Sequence, residues 1–279
     1  MRSIVNLSQD FAGGASAPFR KFTFSGGEVH VAFDGELITD HVRINARCNS
    51  SEDFMRIVMA VDALRGMKVR TIDLFMPYLP YARQDRRMVC GEPYSLRVFG
   101  SMLNALELNA IYVYDVHSDV AGGTIDNLYC LDNHKEVSAF ASTINQYLLV
   151  CPDGGAYKKI HKLMSYLGYN TDRLGYERDL IMANKVRDVS SGKILRTDVY
   201  GDVLGRNCLV VDDICDGGAT FIGLAEKLRV KGANSIHLFV SHGIFSKGTE
   251  GLLSYYTTIA TTNSIREVTP GIITYPLNC

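Results

Sequence analysis

Short apolar runs alternate with amphipathic stretches along most of this chain, and the order of the two fixes the expected elements. Lys21–Phe33 alternates apolar and polar residues on either side of Ser25-Gly26-Gly27, the pattern of a strand pair around a turn. His41–Ala46 reads as another alternating strand. Ser50-Ser51-Glu52-Asp53 then caps a helix to about Gly66, with Phe54, Ile57, Val58, Val61 and Leu64 on one face. Val69–Met76 is predicted as a strand whose exit Pro77 and Pro80 hold extended. Tyr94–Leu108 is predicted helical, Ala110–Tyr114 a strand ending at Asp115-Val116-His117, and Asn133–Gln146 a helix.

The pattern then restarts. Tyr147–Cys151 reads as a strand, followed by Pro152-Asp153-Gly154-Gly155 and a helix to Leu167. Strands follow near Leu180–Lys185 and Lys193–Val199, and later at Ser235–Ser241. Alternating β and α signals predict an α/β protein with mainly parallel sheets flanked by helices. The expected division is into two α/β domains, 1–135 and 136–279, meeting near residues 130–147 without a Pro/Ser-rich linker.

Between the last two of those strands lies the stretch richest in chemistry, Cys208-Leu209-Val210-Val211-Asp212-Asp213-Ile214-Cys215-Asp216-Gly217-Gly218-Ala219-Thr220-Phe221. Its apolar start fits a parallel strand covered on both faces, and a helix is expected to follow to about Gly232. Ligands of open α/β sheets gather outside the carboxyl ends of such strands. Gly217 and Gly218 let backbone N–H groups face inward, and the helix N-terminus adds partial positive charge, so a phosphate can sit there. Ionised Asp212 and Asp213 accept hydrogen bonds from vicinal hydroxyls. A phosphate pocket beside such a pair describes a ribose 5-phosphate site.

Composition narrows the class. The 279 residues suffice for one large or two ordinary domains, and 47% apolar with 21% charged residues is ordinary for a globular chain. A formal net charge of -1 gives no basic field for nucleic acid, so an anionic substrate needs a local cationic cluster. The seven cysteines are odd in number and form no C-x-x-C pair, the usage of a reducing, cytoplasmic compartment without a zinc ribbon. No apolar run approaches the roughly 20 residues that span a bilayer. Met1–Asp10 has no apolar core of a signal peptide. No membrane partner is expected.

The local cationic cluster is present. Tyr78-Leu79-Pro80-Tyr81-Ala82-Arg83-Gln84-Asp85-Arg86-Arg87 packs three arginines and a glutamine directly after a strand. Arg suits forked recognition of phosphate oxygens, and Gln can bond a base or sugar edge. The alternative is a solvated basic loop.

The Asp212–Thr220 stretch resembles the 5-phosphoribosyl-1-diphosphate (PRPP) motif shared by type I phosphoribosyltransferases and PRPP synthetases. The Arg83–Arg86 segment, with Phe75-Met76-Pro77-Tyr78 before it and Glu92-Pro93 after it, resembles PRPP synthetases and not the transferases. Phe24-Ser25-Gly26-Gly27-Glu28-Val29, Met59-Ala60-Val61-Asp62-Ala63-Leu64, Tyr114-Asp115-Val116-His117-Ser118, Val150–Gly155 and Thr262-Asn263-Ser264-Ile265 are similar to further motifs of that family, in family order. The likeness runs from about Phe24 to Ile265.

The resemblance implies two phosphoribosyltransferase-like domains, the first for ATP and the second for ribose 5-phosphate. It implies transfer of the diphosphoryl group of ATP to the anomeric hydroxyl of ribose 5-phosphate, giving PRPP and AMP. Phe24, Gly26, Gly27 and Glu28 would contact adenine across a subunit boundary, so a homo-oligomer is expected, a hexamer or dimers thereof. Arg83, Gln84 and His117 would hold ATP, and His117 and Asp153 would hold Mg²⁺. Asp153 also reads as a helix cap. Lys185 and Arg187, two apart in an extended segment, project from one side and resemble the catalytic Lys-x-Arg of a mobile lid running through Gly192. Arg187, Asp212, Asp213, Asp216, Gly217, Gly218, Ala219 and Thr220 would bind ribose 5-phosphate. For Asp216, a like charge beside a phosphate, two partners stay open: loop N–H groups or a metal-bound water.

Three departures from the family pattern carry expectations. Gly26 replaces an Asp in the adenine turn, which weakens nucleotide discrimination. Gly217 replaces a Thr in the phosphate loop, which loosens the grip on a terminal phosphate or admits a substituted one such as ADP-ribose. Met88-Val89-Cys90-Gly91 replaces an arginine-rich segment, which predicts weak activation by phosphate and weak inhibition by ADP. The stretch before Phe24 is also shorter than usual, as in a minimal version. A larger 5-phosphoribosyl acceptor is thus one alternative; a non-catalytic regulatory homologue is the other.

Overall fold

Apolar residues at every strand position, rather than at every second one, are what two-sided burial in a parallel sheet requires. The computed structural model describes residues 3–8, 11, 17–35, 39–169, 179–187 and 194–277. The chain begins with β1 (Ser3–Asn6), a hairpin of β2 (Phe19–Thr23) and β3 (Val29–Phe33), and β4 (His41–Asn45). It continues through α1 (Ser51–Gly66), β5 (Thr71–Phe75), α2 (Ser95–Asn104), β6 (Ala110–Tyr114), a 3-10 turn (Asp119–Gly123) and β7 (Leu128–Leu131). The strands pair in the order β1-β4-β5-β6-β7, all parallel. The expected alternation of β4 is corrected: Val42, Arg43, Ile44 and Asn45 are all buried, because β4 lies between two strands and is covered on both faces. Ser50 caps α1 by accepting the Asp53 N–H at 3.1 Å, and the Ser50 hydroxyl donates in turn to the Asp53 carboxylate.

The second half comprises α3 (His134–Ala141), β8 (Tyr147–Cys151), α4 (Tyr157–Tyr166), β9 (Leu180–Arg187), β10 (Ile194–Tyr200), β11 (Asn207–Cys215) and α5 (Ala219–Val230). It closes with β12 (Ser235–Gly243), α6 (Glu250–Leu253), β13 (Thr258–Thr262) and β14 (Ile273–Tyr275). The sheet order is β10-β9-β8-β11-β12-β13-β14, parallel except for the β9–β10 hairpin at one edge. Two buried clusters sandwich this sheet, one around Leu148, Val210, Leu238 and α5, the other around Phe140, Leu149, Leu209 and Phe239. The chain clusters into two compact units, Met1–Asp132 with Pro276–Cys279, and Asn133–Tyr275.

Strand order places the candidate site of the second unit. From β8 the chain adds β9 and β10 on one side, then returns to add β11 through β14 on the other. The order reverses between β8 and β11. That crevice, outside the strands' carboxyl ends, is where ligands of such sheets bind.

Candidate active site

In the second unit, β8 ends at Cys151 and β11 carries Asp212 and Asp213, with Val150 level with Val210. Asp153 therefore follows one bank of the crevice and the acid pair stands on the other. Asp153 Oδ1 accepts the Ala156 N–H at 3.0 Å in the turn ahead of α4, and the capping expectation is corrected: the N-cap position is Ala156, which has no side-chain cap bond, because the turn through Gly154 and Gly155 delays the helix to Tyr157. The acid pair, which the end of the apolar run Leu209–Val211 places at the end of the strand, lies inside it. β11 runs on to Cys215, because Ile214 and Cys215 still pair with His242 and Gly243 of β12.

The two acids are inequivalent. Asp213 is 7% exposed, and Lys159 of α4 donates to its Oδ2 at 3.2 Å. Asp212 is half-buried and uses Oδ1 to accept the Asp213 N–H at 2.9 Å. No sequence signal marks Lys159, since nothing local links it to a carboxylate 54 residues away. Two thiols sit beside the acids. Burial pushes Cys215 up to about 12, with the charges of Asp212 and Asp216 adding to it, and burial likewise pushes Cys151 up to about 12. Both stay protonated at neutral pH and supply no nucleophile.

The turn after β11 leads directly into α5, as expected. Gly218 caps α5 at φ 78°, where a side chain would be strained and would also meet Leu252 at 3.2 Å. The first-turn N–H groups of α5 lack helical acceptors, although the Gly218 backbone hydrogen-bonds Cys215. Asp216 Oδ1 accepts the Ser246 hydroxyl at 2.6 Å, a contact outside the two expected partners. Gly217 completes the turn, and Ala219 and Thr220 are the first two residues of α5.

Lys185 and Arg187 stand on β9, level with Thr197 and Ile194 of β10. This corrects the loop placement: the strand continues to Arg187 because an antiparallel partner returns beside it. The register shifts between Ile194 and Arg196, an irregularity of the bulge type. The expected lid through Gly192 and the Lys193 start of the next strand lie outside the described residues from 188 onward.

In the first unit, the loop after β5 and the turn after β6 come together at the carboxyl ends of adjacent strands. The Ser118 hydroxyl donates to Asp85 Oδ2 at 2.7 Å, and Arg86 Nε donates to Asp85 Oδ1 at 3.1 Å. Burial pushes the Asp85 carboxyl upward, but the Ser118 and Arg86 hydrogen bonds with the charges of Arg86 and His117 outweigh it and hold it below its usual value. Asp85 thus organises the loop while Arg83, Gln84 and His117 are exposed beside it. Asp115 is held at φ 41° and donates its N–H to the Leu131 carbonyl at 2.8 Å, which sets the direction of the His117 turn. On the hairpin, Phe24 is 52% exposed and packs edge-on to Phe22 at 5.0 Å. Gly27 takes φ 94° in the turn, with Gly26 and Glu28 on either side.

Comparison with known proteins identifies the family and the fold. Residues 11–106 match the family model described as the N-terminal domain of ribose phosphate pyrophosphokinase. Residues 178–269 match the phosphoribosyl synthetase-associated domain. The ribose-phosphate pyrophosphokinase of Pyrococcus furiosus is 30% identical over 219 residues, 77% of this chain and 74% of that protein. That of Ureaplasma parvum is 28% identical over 82% of this chain and 69% of its own length. The crystal structure of phosphoribosylpyrophosphate synthetase from Mycobacterium smegmatis superposes with a TM-score of 0.79, covering 94% of this chain and 86% of that one at 24% identity. The fold is therefore of the phosphoribosyltransferase-like α/β class, with mainly parallel sheets flanked by helices. Within that class, the chain belongs to the ribose-phosphate pyrophosphokinase family.

Proposed function

We propose that the chain transfers the diphosphoryl group of ATP to the anomeric hydroxyl of ribose 5-phosphate, using the second unit for the sugar phosphate and the first for ATP. The observation that carries this reading is the β8–β11 crevice, which sets Asp153, the Asp212–Asp213 pair and the Gly217–Gly218 turn at the reversal of strand order. Asp212 and Asp213 accept from the ribose hydroxyls, and the turn from Asp216 to Thr220 receives the 5′-phosphate. The anomeric oxygen attacks the β-phosphorus. The bond from that phosphorus to the α,β-bridging oxygen breaks, AMP leaves with the electron pair, and the hydroxyl proton passes to solvent or base. Such a transfer depends on positioning and charge neutralisation.

Arg83, Gln84 and His117 hold ATP, and Lys185 and Arg187 stabilise charge on the transferring group, with Arg187 also touching the sugar phosphate. The donor set suits a hard divalent cation that keeps water and substrate oxygens as ligands. Among the described residues no three His, Cys, Asp or Glu side chains form a closed cage, and Asp153 offers a half-buried carboxylate. Asp153 in the second unit and His117 in the first are each a candidate Mg²⁺ ligand, and the cation when bound would neutralise polyphosphate charge. The exposed Phe22 and Phe24 rings, packed with His30 on the hairpin, support adenine contact from a neighbouring copy, hence a homo-oligomer. Free thiols at Cys48, Cys90, Cys151, Cys208 and Cys215 support a reducing, cytoplasmic location. Among the described residues no helix is long and apolar enough to cross a membrane.

AMP release followed by chromatography checks the assignment. Ribose 5-phosphate should support turnover and unphosphorylated ribose should not; equal rates with both would overturn it. Regulation is a separate expectation. Met88 and Val89 are 76% and 61% exposed where a cationic regulatory segment would stand, and neither offers an anion a charge. Turnover should change less than about twofold across millimolar phosphate or ADP beyond simple competition with ATP, on the scale of weak coupling. Sigmoidal control by either would contradict this.

A further inference from the structure

The turn that would receive the 5′-phosphate has a second wall. After β12 the chain folds back over it: the Ile244 and Phe245 N–H groups both donate to the Cys215 carbonyl, at 2.9 and 3.1 Å. The Ser246 N–H donates to the Asp216 carbonyl at 3.2 Å, and the Ser246 hydroxyl donates to the Asp216 carboxylate at 2.6 Å. The Gly248 N–H closes the loop onto the Phe245 carbonyl at 3.0 Å. Asp216 thus ties the phosphate turn to this loop.

Lys247 follows Ser246, and its side chain crosses the turn at Gly217. A Cβ placed on Gly217 would stand 3.5 Å from both Cδ and Cε of Lys247, and 3.7 Å from Cγ. Gly217 carries no left-handed φ, so its backbone tolerates a side chain. What a branched side chain would disturb is the lane that the lysine occupies. Lys247 is exposed, and among the described residues its ammonium makes no hydrogen bond or ion pair.

We infer that Lys247 is a phosphate-binding residue of this enzyme, supplying to the 5′-phosphate of the acceptor a cation for which Gly217 leaves room. This rests on the ribose 5-phosphate reading of the same turn and adds a residue to it. An ammonium beside a dianionic monoester makes a charge-assisted bond stronger than a neutral hydroxyl can give. It also offsets the carboxylate of Asp216, which the Ser246 hydroxyl already engages. Lys247 therefore acts on acceptor binding and selects a terminal phosphate over a singly charged diester.

The test uses Lys247→Met, which keeps length and removes charge, and Lys247→Arg, which keeps charge. Lys247→Met should raise KM for ribose 5-phosphate about 10-fold or more, the scale of one charge-assisted bond, with kcat, KM for ATP and the thermal midpoint little changed. Lys247→Arg should restore most of the loss. Gly217→Thr should raise the same KM, and adding it to Lys247→Met should cost little more, since both act through one side chain. Calorimetry without ATP, with ribose 5-phosphate and with inorganic phosphate, should show the same weakening. An unchanged KM and unchanged binding in Lys247→Met, or a loss confined to kcat, would overturn the inference. The calorimetric arm keeps that outcome separate from the reaction itself, whose failure would appear as wild-type protein without acceptor-dependent AMP release.

Discussion

Lys185→Ala should lower kcat for acceptor-dependent AMP release by about 10³-fold, the scale on which charge-stabilising groups act in phosphoryl transfer, while leaving the thermal midpoint within a degree or two. The reason lies in the division of labour on β9. Its backbone pairs with β8 on one side and β10 on the other, and main-chain ladders survive the loss of one side chain. An ammonium supplied from this strand would oppose negative charge on the diphosphoryl group as it moves away from the leaving AMP. Steady-state kinetics at saturating ATP and ribose 5-phosphate, with circular dichroism as a control on folding, read both quantities. A variant that kept turnover within about tenfold would remove Lys185 from the catalytic step.

The acid pair should give the second large effect. A hydrogen bond to a charged group contributes about 1.5–3 kcal/mol, or roughly 10- to 150-fold. Asp212→Asn and Asp213→Asn should each lower kcat/KM for ribose 5-phosphate by about that factor, and the double variant by about 10³-fold or more. The two single variants should differ in one respect. Asp213 already engages Lys159 at 3.2 Å, so Lys159→Met should impair the enzyme only when Asp213 is intact. Asp212 instead commits Oδ1 to the Asp213 N–H, and its loss should be independent of Lys159. A double-mutant cycle on kcat/KM separates the cases. Full additivity of Lys159→Met with Asp213→Asn would show that the pairing does not reach the bound sugar.

Legibility from sequence follows locality. β6 and β8 carry the limits expected from their apolar runs, and α1 carries its Ser50 cap, because burial and capping there are written in adjacent residues. Two helices stop short of their expected ends. α2 ends at Asn104 and α3 at Ala141, yet Leu106, Leu108 and Ile144 beyond them are buried, so the apolar pattern outlasts the helical backbone. β7 gives no periodic signal, because three of its four residues are exposed at a sheet edge. β9 outruns its expected end at Lys185, because polar residues in an edge hairpin look like a loop.

The candidate site divides in the same way. The Asp212–Thr220 turn is legible because strand, acids, glycines and helix are contiguous. The groups that hold it in place are not: Lys159 reaches Asp213, and Ser246 reaches Asp216 from 30 residues away. In the first unit, Ser118 likewise reaches Asp85 from 33. Those contacts exist only once the parallel sheets bring neighbouring carboxyl ends together. Sequence motifs name the candidate ligand groups, and tertiary structure supplies the groups that hold them.

Phosphorus-31 NMR of a reaction containing the protein, ATP, Mg²⁺ and ribose 5-phosphate would show the transfer itself. AMP should appear together with a new diphosphate pair on the anomeric carbon, while the 5-phosphate monoester signal persists. Formation of ADP with a sugar bisphosphate, or diphosphate signals that do not require the acceptor, would contradict diphosphoryl transfer to the anomeric oxygen.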